Sequence, residues 1–94
     1  MDMPRVNECQ VESCVYNKQR SCHALAITVG NARLAHCDTF FTAPAEGGDP
    51  SAMAGVGACK MADCRHNTRF ECQAPSIEVG MTKDAAGCLT FAPA

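Results

Sequence analysis

Tryptophan is absent from this 94-residue chain, and tyrosine occurs once, at Tyr16, beside four phenylalanines. A large aromatic core is therefore excluded. Basic excess is lacking too: eight Lys and Arg against ten Asp and Glu leave a formal charge of −2. A nucleic-acid binder shows a basic footprint; here only Arg65, His66 and Arg69 stand close, and they read as solvated surface charge. No window approaches the ~18 apolar residues of a membrane span. The opening Met-Asp-Met-Pro-Arg-Val-Asn-Glu has no apolar stretch and does not read as a signal peptide. No carboxylate pair, serine or histidine recurs in a chemical constellation, and no glycine loop suits a phosphate. The reading is of a cytoplasmic, non-enzymatic protein without nucleic-acid or membrane partners.

What the chain does have is cysteine, in one pattern written twice. The first copy is Cys9-x4-Cys14-x7-Cys22-x14-Cys37, followed by Asp-Thr-Phe; the second is Cys59-x4-Cys64-x7-Cys72-x15-Cys88, followed by Leu-Thr-Phe. All eight cysteines fall in the pattern. At an offset of fifty, Val6, Asn17, Ala24, Ile27, Val29 and Gly30 meet Val56, Asn67, Ala74, Ile77, Val79 and Gly80. The chain thus reads as a tandem duplicate of one module of about 40 residues, spanning 3–41 and 56–92 with a linker at 42–55. That linker is dominated by Gly, Pro, Ala and Ser, and reaches about 20 Å as a flexible coil.

A module this small seldom folds on apolar burial alone. Its core is a handful of side chains: Val6, Val11, Leu25, Ile27, Val29 and Phe40, or Val56, Met61, Ile77, Val79, Leu89 and Phe91. The clearest strand follows the third cysteine, with Leu25, Ile27 and Val29 on one face, and ends at Gly30; Pro75, Ile77 and Val79 end likewise at Gly80. Asn17 and Asn67 open turns. Cys14–Tyr16 pairs with Cys22–Val29 as a hairpin. Cys37–Phe41 and Cys88–Ala92 read as short final strands, and Asn31–His36 and Lys83–Gly87 as helical turns. The fold class is a small, metal-stabilised, mostly β and loop-rich protein.

Four thiols are the number a tetrahedral zinc needs, and four protein ligands close such a site, which makes the metal structural. Zinc binding at about 10–16 kcal/mol apparent would decide the folding of so small a unit. The expected ligands are Cys9, Cys14, Cys22 and Cys37 for one ion and Cys59, Cys64, Cys72 and Cys88 for a second. Two four-thiolate zinc sites add about −2 each, taking a loaded chain near −6. In a reducing compartment a paired cysteine pattern is more often metal-binding than disulfide. Two disulfides per half are the alternative that spacing leaves open. Neither ferredoxin spacing is present for an iron–sulfur cluster. Of the histidines, His23, His36 and His66 do not recur between copies and read as surface residues, though His36 and His66 lie close to cysteines. Asn17 and Asn67 read as turn formers; Thr39 and Thr90 read as strand residues or as hydrogen-bonding partners behind the thiolates.

The run Cys-x4-Cys-x-Tyr-Asn-x4-Cys-x-Ala-x2-Ile-x-Val and then Cys-x-Thr-Phe, from Cys9 to Phe40, resembles a small bacterial family catalogued as domain of unknown function 1540. The second copy, Cys59 to Phe91, is similar, with His66 in place of tyrosine. The resemblance implies a bacterial metal-binding module, often in tandem, with the eight cysteines as ligands and no assigned activity. The resulting expectation is a tandem zinc protein serving protein interaction or scaffolding through an unknown protein partner, with a homodimer or an intramolecular pseudo-dimer both compatible. A metal buffer or chaperone, or a thiol-based redox-responsive protein, is the alternative. The structural-zinc reading predicts that Cys14→Ala melts the first half and spares the second.

Overall fold

The computed structural model describes residues 3–31, 34–82 and 85–94 and is all β and loop among them. Ten strands appear in chain order: β1 (Arg5–Cys9), β2 (Asn17–Lys18), β3 (Ser21–Cys22), β4 (Ala26–Asn31), β5 (Leu34–Cys37), β6 (Gly55–Cys59), β7 (Asn67–Thr68), β8 (Glu71–Cys72), β9 (Ser76–Thr82) and β10 (Ala85–Cys88). Six of them close a barrel in the order β1-β6-β4-β5-β10-β9. The remaining four form two small hairpins, β2-β3 and β7-β8.

The barrel mixes the two sequence repeats. β1 runs parallel to β9, from Arg5 beside Ser76 to Cys9 beside Val79. β6 runs parallel to β4, from Gly55 beside Ala26 to Cys59 beside Val29. Each repeat therefore lends its first strand to the long strand of the other. The results are two three-stranded sheets, β1-β9-β10 and β6-β4-β5. They meet at two thin seams, with the single register pair Arg5–Gly55 at one and Gly87–His36 at the other. The ground for expecting one half to melt alone is thereby removed, because neither repeat holds a complete sheet.

A bulge aims the first cysteine of each repeat. Val6 and Cys9 are three apart, so in a regular strand they would face opposite sides. The register of β1 against β9 slips by one residue between Val6 and Glu8, and that of β6 against β4 slips after Val56. The extra residue turns the strand. Val6 and Cys9 are consequently both buried, as are Val56 and Cys59. With Ile27, Val29, Ile77 and Val79 they make the barrel core.

Gly30 and Gly80 lie inside β4 and β9 rather than ending them. At Gly30, φ is +116° and a β-carbon would stand 2.7 Å from Cβ of Lys60. Only glycine fits there, because the strand crosses the chain of the other repeat: the Lys60 N–H donates to the Val29 carbonyl at 2.7 Å. The matching bond in the other sheet, Gln10 N–H to Val79 carbonyl, is 2.8 Å.

Other expectations change as well. Leu25 is 72% exposed, while Ala24 is buried. Residues 24–25 form a bend, so the alternation of β4 begins only at Ala26. Leu89 is also exposed, and the phenylalanines Phe40 and Phe91 are half-buried against the core. The last strands precede the fourth cysteines, as β5 and β10, and turns follow at 38–39 and 89–90. The segments read as helical turns contain these same strands; residues 32–33 and 83–84 of those segments lie outside the described residues. The hairpin expected between Cys14–Tyr16 and Cys22–Val29 is tighter: Asn17 pairs with Cys22, and Lys18 with Ser21. Its tip is Gln19-Arg20, and both residues have positive φ, as do Arg69 and Phe70 in the second copy. The segment read as a loose linker lies on the first repeat, with Gly47 donating to the Val15 carbonyl, Asp49 to that of His23 and Ala54 to that of Cys22.

Candidate metal centres

Each cysteine quartet is assembled from four different stretches of chain. Cys9 ends β1, Cys14 sits in the loop after it, Cys22 ends β3 and Cys37 ends β5. Cys59, Cys64, Cys72 and Cys88 occupy the matching places. The first quartet lines one small cavity together with Val79, Thr39 and Phe40; the second lines another with Val29, Thr90 and Phe91. These cavities measure about 10 Å³ and about 20 Å³. That is room for a body the size of one water, which suits a lone ion and is small for an iron–sulfur cluster. Among the described residues no group of three or more His, Cys, Asp or Glu side chains is arranged so that it could hold a metal ion as it stands. The thiols thus converge on shared cavities without closing on one centre. All eight cysteines are free.

The backbone completes each site. N–H groups of Thr39 and Phe40 point at the Cys37 sulfur, and those of Thr90 and Phe91 at the Cys88 sulfur. The Ala24 N–H points at the Cys22 sulfur and that of Ala74 at the Cys72 sulfur. Such donors favour the thiolate over the thiol. Burial works against them and is the larger effect. It pushes the Cys22 thiol up to about 11, with the nearby thiols of Cys9, Cys14 and Cys37 adding to the rise. Cys37, Cys72 and Cys88 are raised for the same first reason. Without a cation, these are quiet, protonated thiols; with one, the same donors would hold thiolates.

The recurring polar residues brace this frame. Asn17 Nδ2 donates to the Cys9 carbonyl at 2.7 Å, and Asn67 Nδ2 to the Cys59 carbonyl at 2.9 Å. They tie the hairpin to the strand that carries the first cysteine, in keeping with a turn-forming role. Thr39 Oγ1 accepts from the Thr28 N–H at 3.0 Å, and Thr90 Oγ1 from the Glu78 N–H at 3.1 Å. Those bonds strap the turn after the fourth cysteine to the neighbouring strand. The alanines at 24 and 74, which recur in the sequence without a role assigned to them there, are both buried beside the third cysteine.

The histidines are half-buried rather than surface residues. His23 Nδ1 lies 2.8 Å from the Ala52 carbonyl, which fixes the proton on that nitrogen. His36 sits at the seam beside Gly87. His66 lines the second cavity, where Tyr16 lines the first. No helix among the described residues is long and apolar enough to cross a membrane.

Fold and sites define a small cysteine-rich β-protein built from two tandem copies of one unit. The chain belongs to the family described as Domain of Unknown Function (DUF1540), whose profile matches it twice, at residues 8–40 and 58–91. No match was found among curated proteins or solved structures.

Proposed function

We propose that this chain is a non-enzymatic zinc protein of the cytoplasm, with one structural ion held by each cysteine quartet, and that its metal-locked barrel serves as an interaction scaffold. The observation that carries this reading is the convergence of four thiols, from four chain segments, on one ion-sized cavity in each half, with backbone N–H groups already aimed at two sulfurs of each set. The donor set is all sulfur, which suits zinc better than magnesium or calcium. Four ligands leave no open position for a reacting water, so the ion is structural. Burial raises the thiols of Cys22, Cys37, Cys72 and Cys88, which argues against a redox sensor built on them, since a sensor needs an accessible thiolate. Exposed Leu25, Leu34, Phe41, Phe70 and Met81 supply apolar surface for a protein partner.

The test is chelation of the purified protein under reducing conditions, followed by far-ultraviolet circular dichroism and metal analysis. Loss of the β signal in step with loss of zinc is the expected result. Departure of the metal with the barrel intact would move the protein to the metal-buffer class.

A further inference from the structure

The two cysteine quartets are not insulated from each other. In one sheet, Val79 has Cys9 as its register partner on one side and Cys88 on the other. In the second sheet, Val29 stands between Cys37 and Cys59. Each rung thus carries one thiol of each quartet. Read the other way, each quartet takes its first cysteine from one sheet and its fourth from the other. The valines also cross over: Val79 lines the cavity of the first quartet, and Val29 that of the second. Both are buried.

We infer that the two sites load metal with positive cooperativity, because an ion at either one clamps the same two sheets that must be held together to form the other. This deepens the zinc reading and rests on it. Apart from the quartets, the sheets are joined by one register pair at each seam, Arg5–Gly55 and Gly87–His36, by the bonds from Val6 N–H to the Ala54 carbonyl and from Val56 N–H to the Pro4 carbonyl beside the first, and by the apolar core. Few backbone hydrogen bonds cross these seams, so a shift of one sheet against the other would widen both quartets at once. The first ion bears the ordering cost of bringing Cys9 to Cys37, or Cys59 to Cys88, across the barrel. The second ion meets sheets already in place and bears less of it, so the sites couple through shared order. The coupling is reciprocal: whatever factor one site gives to the other, it receives.

The full-length, reduced, metal-free chain is titrated with zinc set by a chelator buffer, and native mass spectrometry counts chains with no, one and two ions. Two independent sites, equal or unequal in strength, leave at least half the chains with one ion at half-loading. Between sites of equal intrinsic strength, a coupling factor of about 5–150 lowers that share to between about a third and less than about a tenth. The expected result is a one-ion share well below half. A share of half or more, together with an unchanged second quartet in the Cys14→Ser variant, overturns the inference while leaving the zinc reading in place; no uptake at all overturns both. Cys14→Ser supplies a second measurement, because Cys14 contributes to the first quartet only. The zinc concentration that half-loads the second quartet is expected to rise about 2–12-fold in this variant, the square root of that coupling factor for sites of equal strength, and an unchanged value would contradict the coupling.

Discussion

The first and second repeats follow one chain path but are walled differently, and the difference separates what the fold needs from what it tolerates. Around the first quartet, Tyr16 packs edge-on against Phe41 with ring centres 5.5 Å apart, and Gly47 and Gly48 press close to the Tyr16 ring. Around the second, His66 replaces the tyrosine, and the Arg65 N–H donates to the Ala92 carbonyl while Ala94 donates to that of Asp63. Cys22 and Cys64 are buried, whereas their counterparts Cys72 and Cys14 are half-buried. Underneath, the bulges, the asparagine ties, the threonine straps and the alanine two residues after the third cysteine are the same in both. Those are the parts that place sulfur. Tyrosine or histidine, and the segment lying outside, alter only how much cover a thiol receives.

Chelation puts the largest strain on this comparison. If each site contributes the ~10–16 kcal/mol apparent of a structural zinc, stripping unfolds the chain. Because the sheets are shared, amide exchange in β4 and β9 should rise together. Faster exchange in one repeat alone would show that the halves are independent after all.

Gly30→Ala and Gly80→Ala sharpen it next. Gly30 combines a positive φ with the clash an added β-carbon would make against Cβ of Lys60, whereas a β-carbon added at Gly80 would meet only the far ends of Leu89 and Gln10, at 2.8 and 2.9 Å. Chemical denaturation of the loaded protein should show a loss of about 2 kcal/mol or more for Gly30→Ala. Flexible side chains can swing away from Gly80, so its substitution should cost about 1 kcal/mol or less. Equal losses would mean that the two crossings are equally tight.

The threonine straps give a smaller contrast. Thr39→Val strands the N–H of Thr28 at a partly buried position and should cost about 1–3 kcal/mol. The N–H of Glu78 is exposed and turns to water when Thr90→Val removes its acceptor, so the loss should stay below about 1 kcal/mol. Thermal melts of the two variants under identical metal buffering decide the order.

Much of the site was legible in the sequence, because duplication filters accident from requirement. The eight cysteines, Asn17 with Asn67, and Thr39 with Thr90 recur, and each falls beside a cavity or braces one. The strand over Ile27 and Val29 was legible from alternation. Exchange of β1 and β6 between repeats was not, since periodicity within a strand says nothing of its neighbour. The bulges at residues 7 and 57 hid behind the three-residue spacing of Val6 and Cys9, which regular alternation would have set on opposite faces. Leu25 was placed in the core by extending that alternation one step too far. Pro75 in the same position of the second copy was the available signal, as proline marks a bend before a strand better than a paired residue within it. Leu34-Ala-His-Cys and Ala85-Ala-Gly-Cys carry no alternation, and their strand form comes from pairing with β4 and β9 and, at one rung, with each other.

The most direct test of the central claim, one structural ion in each cysteine quartet, is the intact mass of protein made in a reducing cytosol, taken first under native and then under denaturing conditions. The account predicts two zinc ions per chain that are lost on denaturation, leaving all eight thiols free. A metal-free chain lighter by eight hydrogens, with its cysteines joined in four disulfides, would contradict it.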